Sequence, residues 1–528
     1  MRSRLLSALA LAGVASLALS ACAAGGAPAA PQGKPAVDGT FTLALNADPG
    51  TLNPLLTANT PTHAMAQIAY DYLVYVDPET AKVGPWLAEK WKETPSSVSY
   101  TIRDGITCAD GSPLTAQTVA DNIAFVTDEK NGSALRGVYV PADATASVDG
   151  QTVTISTPKP SPFLLMNTSR LPILCEAGLK DPDAAAKGST GSGPFTLSES
   201  VPNDHYTFTR RADYSWGPDD TTAKTAGLPK TVVVKIITNE STAANQLLAG
   251  EVSAATIEGD DQARLDSAGL TTVSRSRIAG EMYFNHGTVT GDKAVRTALV
   301  QALNLADLAK VITGGRGGPA TGLVTTDPRA CVDDTVSGNL PSFDTAAAAA
   351  ALDKAGWTLG SDGIRHKDGT PLTVRFFYDS LGDTYDAAAD LAQQAWTKLG
   401  AKVEMTSGDG NKAVEALLSG KNNSGWDVAW EPLYVNLPSM LTPFFSGPAP
   451  AKGLNFSQID NPDYDAAVAK ATNEVGAASC ATWAQAEKAL FAQTDVVPFA
   501  NAVAKTYFSH AGLAFGNTFV GSALRVFE

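Results

Sequence analysis

One long apolar run limits what this chain can become. Leu5–Leu19 is apolar except for Ser and Gly, follows Arg2 and Arg4, and closes on Leu19-Ser20-Ala21-Cys22. It is shorter than the roughly 20 residues of a spanning helix and has the layout of a secretory signal over 1–21. No later stretch reaches roughly 18 apolar residues, and the Ala-rich Ala346–Leu352 is a short helix instead. Removing the signal leaves 528 − 21 = 507 residues, enough for two to four domains of roughly 100–200 residues each. The formal charge of −15 becomes −17 without Arg2 and Arg4. So acidic a chain, with no basic run, excludes nucleic-acid and anionic-lipid binding as its main task.

Four cysteines follow Cys22: Cys108, Cys175, Cys331 and Cys480. An even count in an exported chain points to disulfides, with three possible connectivities, and the absence of CxxC argues against metal. The end of the apolar run, Leu19-Ser20-Ala21-Cys22, resembles the bacterial lipobox. That resemblance implies a diacylated Cys22 and a protein tethered to the outer face of a membrane, where two acyl chains hold stably. Residues 22–35 are mostly Ala, Gly and Pro with almost no bulky side chain and are expected to be a flexible tether.

Phe41–Leu45 alternates with period two, as a strand does, and Asp48-Pro49-Gly50 breaks it. Then come Tyr70–Val76, Asp77-Pro78-Glu79-Thr80, Gly84-Pro85-Trp86-Leu87-Ala88-Glu89-Lys90-Trp91, a strand at Val98–Ile102, and Asp110-Gly111-Ser112-Pro113-Leu114-Thr115-Ala116. Thr115 is placed to cap a helix over Ala116–Val126. Further on lie Ser189-Thr190-Gly191-Ser192-Gly193-Pro194-Phe195, Tyr214-Ser215-Trp216-Gly217 and Met282-Tyr283-Phe284-Asn285. Asn304 with Asp307 opens a helix. The strand Leu372–Tyr378 and the helix Thr384–Leu399 follow, and Gly400 stops that helix. In this order, over most of the mature chain, these motifs resemble the family 5 extracellular solute-binding proteins of ATP-binding-cassette importers, the peptide and nickel receptors.

The resemblance implies an α/β, two-lobed, periplasmic-binding-protein-like fold of class II type with an inserted subdomain in the first lobe. Lobe I is expected over 36–58, 188–274 and 495–528, with 59–187 inserted, and lobe II over 275–494. That map puts Cys108 with Cys175 and Cys331 with Cys480, which become the implied disulfides. It also implies a monomer that passes a peptide or other small solute to permease subunits, without a cofactor. Sugars, haem, metal chelates and a sensing role share the same scaffold.

Signatures of catalysis are missing: the sequence has no G-x-S-x-G, no H-E-x-x-H and no Walker Gly-Lys-Ser/Thr. Its five histidines (His63, His205, His286, His366, His510) form no i, i+4 pair. Gly314-Gly315-Arg316-Gly317-Gly318 follows a helix, so it reads as a connector and not a phosphate cradle. A secreted hydrolase with an unrecognised site is the alternative of a different class.

In peptide-binding relatives the ligand lies between the lobes like an added strand. The matching first-lobe segment is Asp48-Pro49-Gly50, and Asn285 is expected near the lobe crossing as a donor. The relatives' Trp-x-x-Asp-Tyr reads here Trp430-Glu431-Pro432-Leu433-Tyr434, with Trp430 and Tyr434 expected to line the cleft. Leu433 stands where relatives carry the Asp that pairs with the ligand's α-ammonium. The expectation is a receptor that does not anchor a free N-terminus in the usual way, unless Glu431 substitutes.

Overall fold

A computed structural model describes residues 33–528 apart from Glu79, Ser189, Pro328, Asp409, 420–424 and 517–518. The expected signal peptide, Cys22 and most of the tether lie outside the described residues. At the tether's end, Lys34 O accepts from Glu528 N at 2.9 Å and Pro35 bridges Phe527, so the chain is already fixed to its C-terminal strand before residue 36.

One eleven-stranded sheet runs through both lobes. In the first, Thr40–Leu45 lies parallel to Thr231–Ile236 and Ala254–Ile257, with the hairpin Phe195–Val201 and His205–Arg210 at the edge. In the second, Thr373–Asp379 lies parallel to Lys402–Gly408 and Val428–Trp430. Two long antiparallel strands, Thr271–Phe284 and Val496–Phe508, cross between them. Their ladder slips register on either side of Gly280. A side chain at Gly280 would sit 2.3 Å from the Phe499 ring, so this crossing demands glycine. The Gly317–Gly318 connector, as expected, lies after a helix, and it pairs with the second crossing strand.

Helices form where polar caps meet apolar faces. Thr115 caps Ala116–Thr127 reciprocally with Thr118, and Asn304 accepts from the Ala306 and Asp307 amides to open Leu305–Ile312. Asp383–Leu399 buries Ala388, Ala389, Ala392 and Trp396 in the second-lobe core, and Gly400 at φ 99° ends it. The two disulfides are Cys108–Cys175 and Cys331–Cys480, as the resemblance implied.

Residues 88–156 carry a separate antiparallel sheet (Ala88–Thr94, Ser97–Ile102, Thr152–Ser156, Thr145–Asp149), and a buried carboxylate helps to fasten this part of the chain to the first lobe. Asp71 accepts from Trp86 Nε1 (2.9 Å), Ser192 Oγ (2.9 Å), Tyr214 OH (3.0 Å) and Trp216 Nε1 (2.8 Å). Burial pushes its pKa up while the four donors pull it down. Three motifs far apart in sequence thus meet at one point. Beside them the buried Arg211 guanidinium reaches Thr107 O, Cys108 O and Ser192 O, tying the first disulfide to the same seam.

Candidate functional site

Parallel strands of open α/β sheets present their carboxyl ends to ligands. Here strands of both lobes flank the crossing pair, Ala254–Ile257 beside Val496–Phe508 and Val428–Trp430 beside Thr271–Phe284. Glu258 follows Ala254–Ile257, Asp379 ends its strand, and Glu431 follows Val428–Trp430. Arg277 and Glu281 come from the first crossing strand. Glu258 pairs with Arg277 at 2.9 Å, with both side chains about half exposed. Tyr385 and Tyr434 complete the group. Burial raises the pKa of both phenols, and both feel Arg277 and Asp379. Tyr434 is 49% exposed, the one large aromatic here that faces solvent.

The carboxyls are unevenly satisfied. Glu431 has a buried Oε2 with no hydrogen-bond partner, and its pKa is pushed up to about 7 by burial and then by Asp379. Glu281 is wholly buried, and its Oε2 accepts from Leu433 N at 2.9 Å. Burial lifts its pKa to about 8, with Glu487 and Glu431 adding to the rise and the Leu433 amide and Tyr283 hydroxyl opposing it. Among the described residues no three His, Cys, Asp or Glu side chains gather as a metal site. Two crevices of ≈ 630 and ≈ 520 Å³ are grooves of the second lobe and share no residue with this group.

Several residues expected at the ligand lie elsewhere. Trp430 does not line the cleft: it is 3% exposed, wedged between Phe376 (5.0 Å) and Phe499 (4.9 Å), because as the last strand residue it faces the second-lobe core. Asn285 is buried too, and its amide is spent internally. It donates to Trp426 O (3.0 Å) and accepts from Gly287 N and Gln458 Nε2 (both 3.0 Å). Leu433 packs its side chain on the core and gives its N–H to Glu281.

Asp48 works within its own lobe, accepting from Gly50 N (2.8 Å), Asn203 N (2.6 Å) and Tyr206 OH (2.8 Å). Burial pushes its pKa upward, but these bonds hold it below the usual carboxylate range. Pro49 O is taken by Asn59 Nδ2 and Thr62 Oγ1, while Gly50, at φ 70°, faces open space. Glu431 lies near Asp379, and Tyr434 near Arg277, Glu431, Asp379 and Glu258. Sequence reasoning missed Glu258, Arg277, Glu281, Asp379 and Tyr385. Glu281 carried a readable signal, a lone acid inside the apolar strand Ile278–Phe284, and so did Asp379, which closes Phe376-Phe377-Tyr378.

Residues 82–451 match the family model described as bacterial extracellular solute-binding proteins, family 5 Middle. Protein XP55 of Streptomyces lividans is 27% identical over 356 residues, 64% of this chain and 61% of that protein. The nickel-binding periplasmic protein of Escherichia coli (strain K12) is 27% identical over 385 residues, 69% of this chain and 70% of that one. In fold, the chain is similar to the unliganded open form of MppA, a periplasmic murein tripeptide binding protein. The TM-score is 0.76 at 20% identity, covering 94% of this chain and 99% of that one. With a two-lobed α/β fold joined by crossing strands and a family match over most of its length, the chain belongs to the bacterial extracellular solute-binding proteins of family 5.

Proposed function

We propose that this chain is a membrane-tethered receptor that captures a solute bearing an ammonium group, most simply a peptide, and delivers it to an ATP-binding-cassette permease. The observation that carries this is Glu431. Half withdrawn from water, with one oxygen unpartnered and Asp379 beside it, it lacks the cation that a buried carboxylate requires. A ligand ammonium supplies that cation, and the exposed face of Tyr434 adds a surface for it. Leu433 brings no charge, so Glu431 substitutes for the relatives' Asp, and the expectation of a receptor indifferent to a free N-terminus gives way. The same carboxylates disfavour an anionic chelate.

The reading keeps the tether at Cys22, a monomer, and the division into 36–58, 188–274 and 495–528 with the insert 59–187, facing 275–494. Calorimetry with matched free and N-acetylated peptides tests it. Free peptides bind, while acetylation and Glu431→Gln each weaken binding by roughly 10–100-fold. Equal binding of both peptides, unmoved by Glu431→Gln, overturns the ammonium reading in favour of a solute with an apolar or sugar-like face. Labelled palmitate tests the anchor: Cys22→Ala abolishes incorporation and releases the protein or leaves it unprocessed.

A further inference from the structure

Between two fixed points the chain at 431–434 makes a short bridge. Before it, Trp430 is locked between Phe376 and Phe499; after it, Val435 O accepts from Thr326 N at 3.1 Å. Within the bridge Pro432 has no N–H, and the Leu433 N–H ends on Glu281 Oε2 at 2.9 Å. Glu281 stands where the crossing ladder slips register, next to Gly280, and the Phe499 ring that fills the space over Gly280 also supports Trp430. One point in the crossing therefore holds the bridge from both sides.

We propose that Glu281 is a positioning residue for ligand recognition: by holding the Leu433 N–H it fixes the bridge so that Glu431 and Tyr434 face the cleft. The ionisable groups around it are Tyr283 on its own strand, Glu431 on the bridge and Glu487 on the helix Cys480–Ala492. None of these is a cation, so what the site asks of Glu281 is an acceptor oxygen and not a charge. A glutamine supplies that oxygen; an alanine leaves the amide unmade. The ligand consequence rests on the ammonium reading of Glu431, whereas the positioning itself does not.

The test uses the full chain with Glu281→Gln and Glu281→Ala. Hydrogen exchange at the Leu433 amide is expected to quicken about tenfold or more in Glu281→Ala and to stay near wild type in Glu281→Gln. Unchanged exchange in Glu281→Ala overturns the proposal whatever the ligand is. In calorimetry, the wild-type preference for free over N-acetylated peptide falls about tenfold in Glu281→Ala and is kept in Glu281→Gln. If Glu281→Ala lowers Tm but keeps the preference, Glu281 is only structural and the proposal fails. If the wild type shows no preference, the ammonium reading has failed, and exchange alone judges the positioning.

Discussion

Asp71 lies at the seam between the insert and the first lobe and receives four hydrogen bonds, from two indoles, a phenol and a serine hydroxyl. Glu431, just after the strand Val428–Trp430, has an oxygen shielded from water that no donor among the described residues reaches. Both are carboxyls removed from solvent, and removing a charge from water is costly unless something replaces the water. At Asp71 the protein itself provides the replacement. At Glu431 it does not. On the ammonium reading proposed above, the completed carboxylate serves architecture and the incomplete Glu431 serves recognition.

The sharpest way to break this contrast is to delete the completed centre. Asp71→Ala leaves four donors facing nothing and is expected to cost about 3–5 kcal/mol of stability in denaturant unfolding. A loss near that of an ordinary surface substitution would show that the four bonds do not hold the seam.

Glu281, held by the Leu433 amide but crowded by other acids, sharpens the comparison through pH. Its folded pKa, pushed up to about 8, lies above the unfolded value, so the folded state binds the extra proton. Its contribution is fully present below about pH 4 and is lost as pH rises through about 8, roughly 2 kcal/mol after allowing for relaxation. Unfolding curves at pH 5 and pH 8 should show the wild type losing stability and Glu281→Gln losing less. An identical slope in both would mean that Glu281 does not titrate in this window.

The smallest effect has the opposite sign to the first. Glu431→Gln removes an unpaired carboxylate and is expected to leave ligand-free stability unchanged or raise it by about 0.5 kcal/mol, while weakening binding. With Glu431 at about 7, a cationic ligand should bind more tightly as pH rises from 6 to 8, a trend that titration calorimetry would find flattened in Glu431→Gln. Substantial destabilisation would place Glu431 with Asp71, among structural carboxyls.

Much of the architecture was legible because it is written in local chemistry. Thr115, Asn304 and Gly400 bound helices as their side chains require, and the order of motifs implied both disulfides. The ligand site was less legible, for a physical reason. Trp430 ends one apolar strand and Asn285 follows another, and the sequence does not say which way a strand end turns. Phe376 and Phe499, brought in from distant strands, decide that for Trp430. Glu258 and Arg277, likewise, meet only because their strands flank Val496–Phe508 in one sheet.

The seam at Asp71 also bears on how the chain is made. Its partners Ser192 and Trp216 lie 121 and 145 residues downstream, so the insert cannot finish its own interior when it emerges. Contacts this distant in sequence are slow to close, since the loop entropy is lost before the bonds form. A chain being threaded outward in order, N-terminus first, therefore carries Asp71, and with it Trp86, incompletely buried until the segment bearing Tyr214 and Trp216 has followed. A chain ending before Ser192 would lack three of the four donors to Asp71 and keep that carboxylate incomplete.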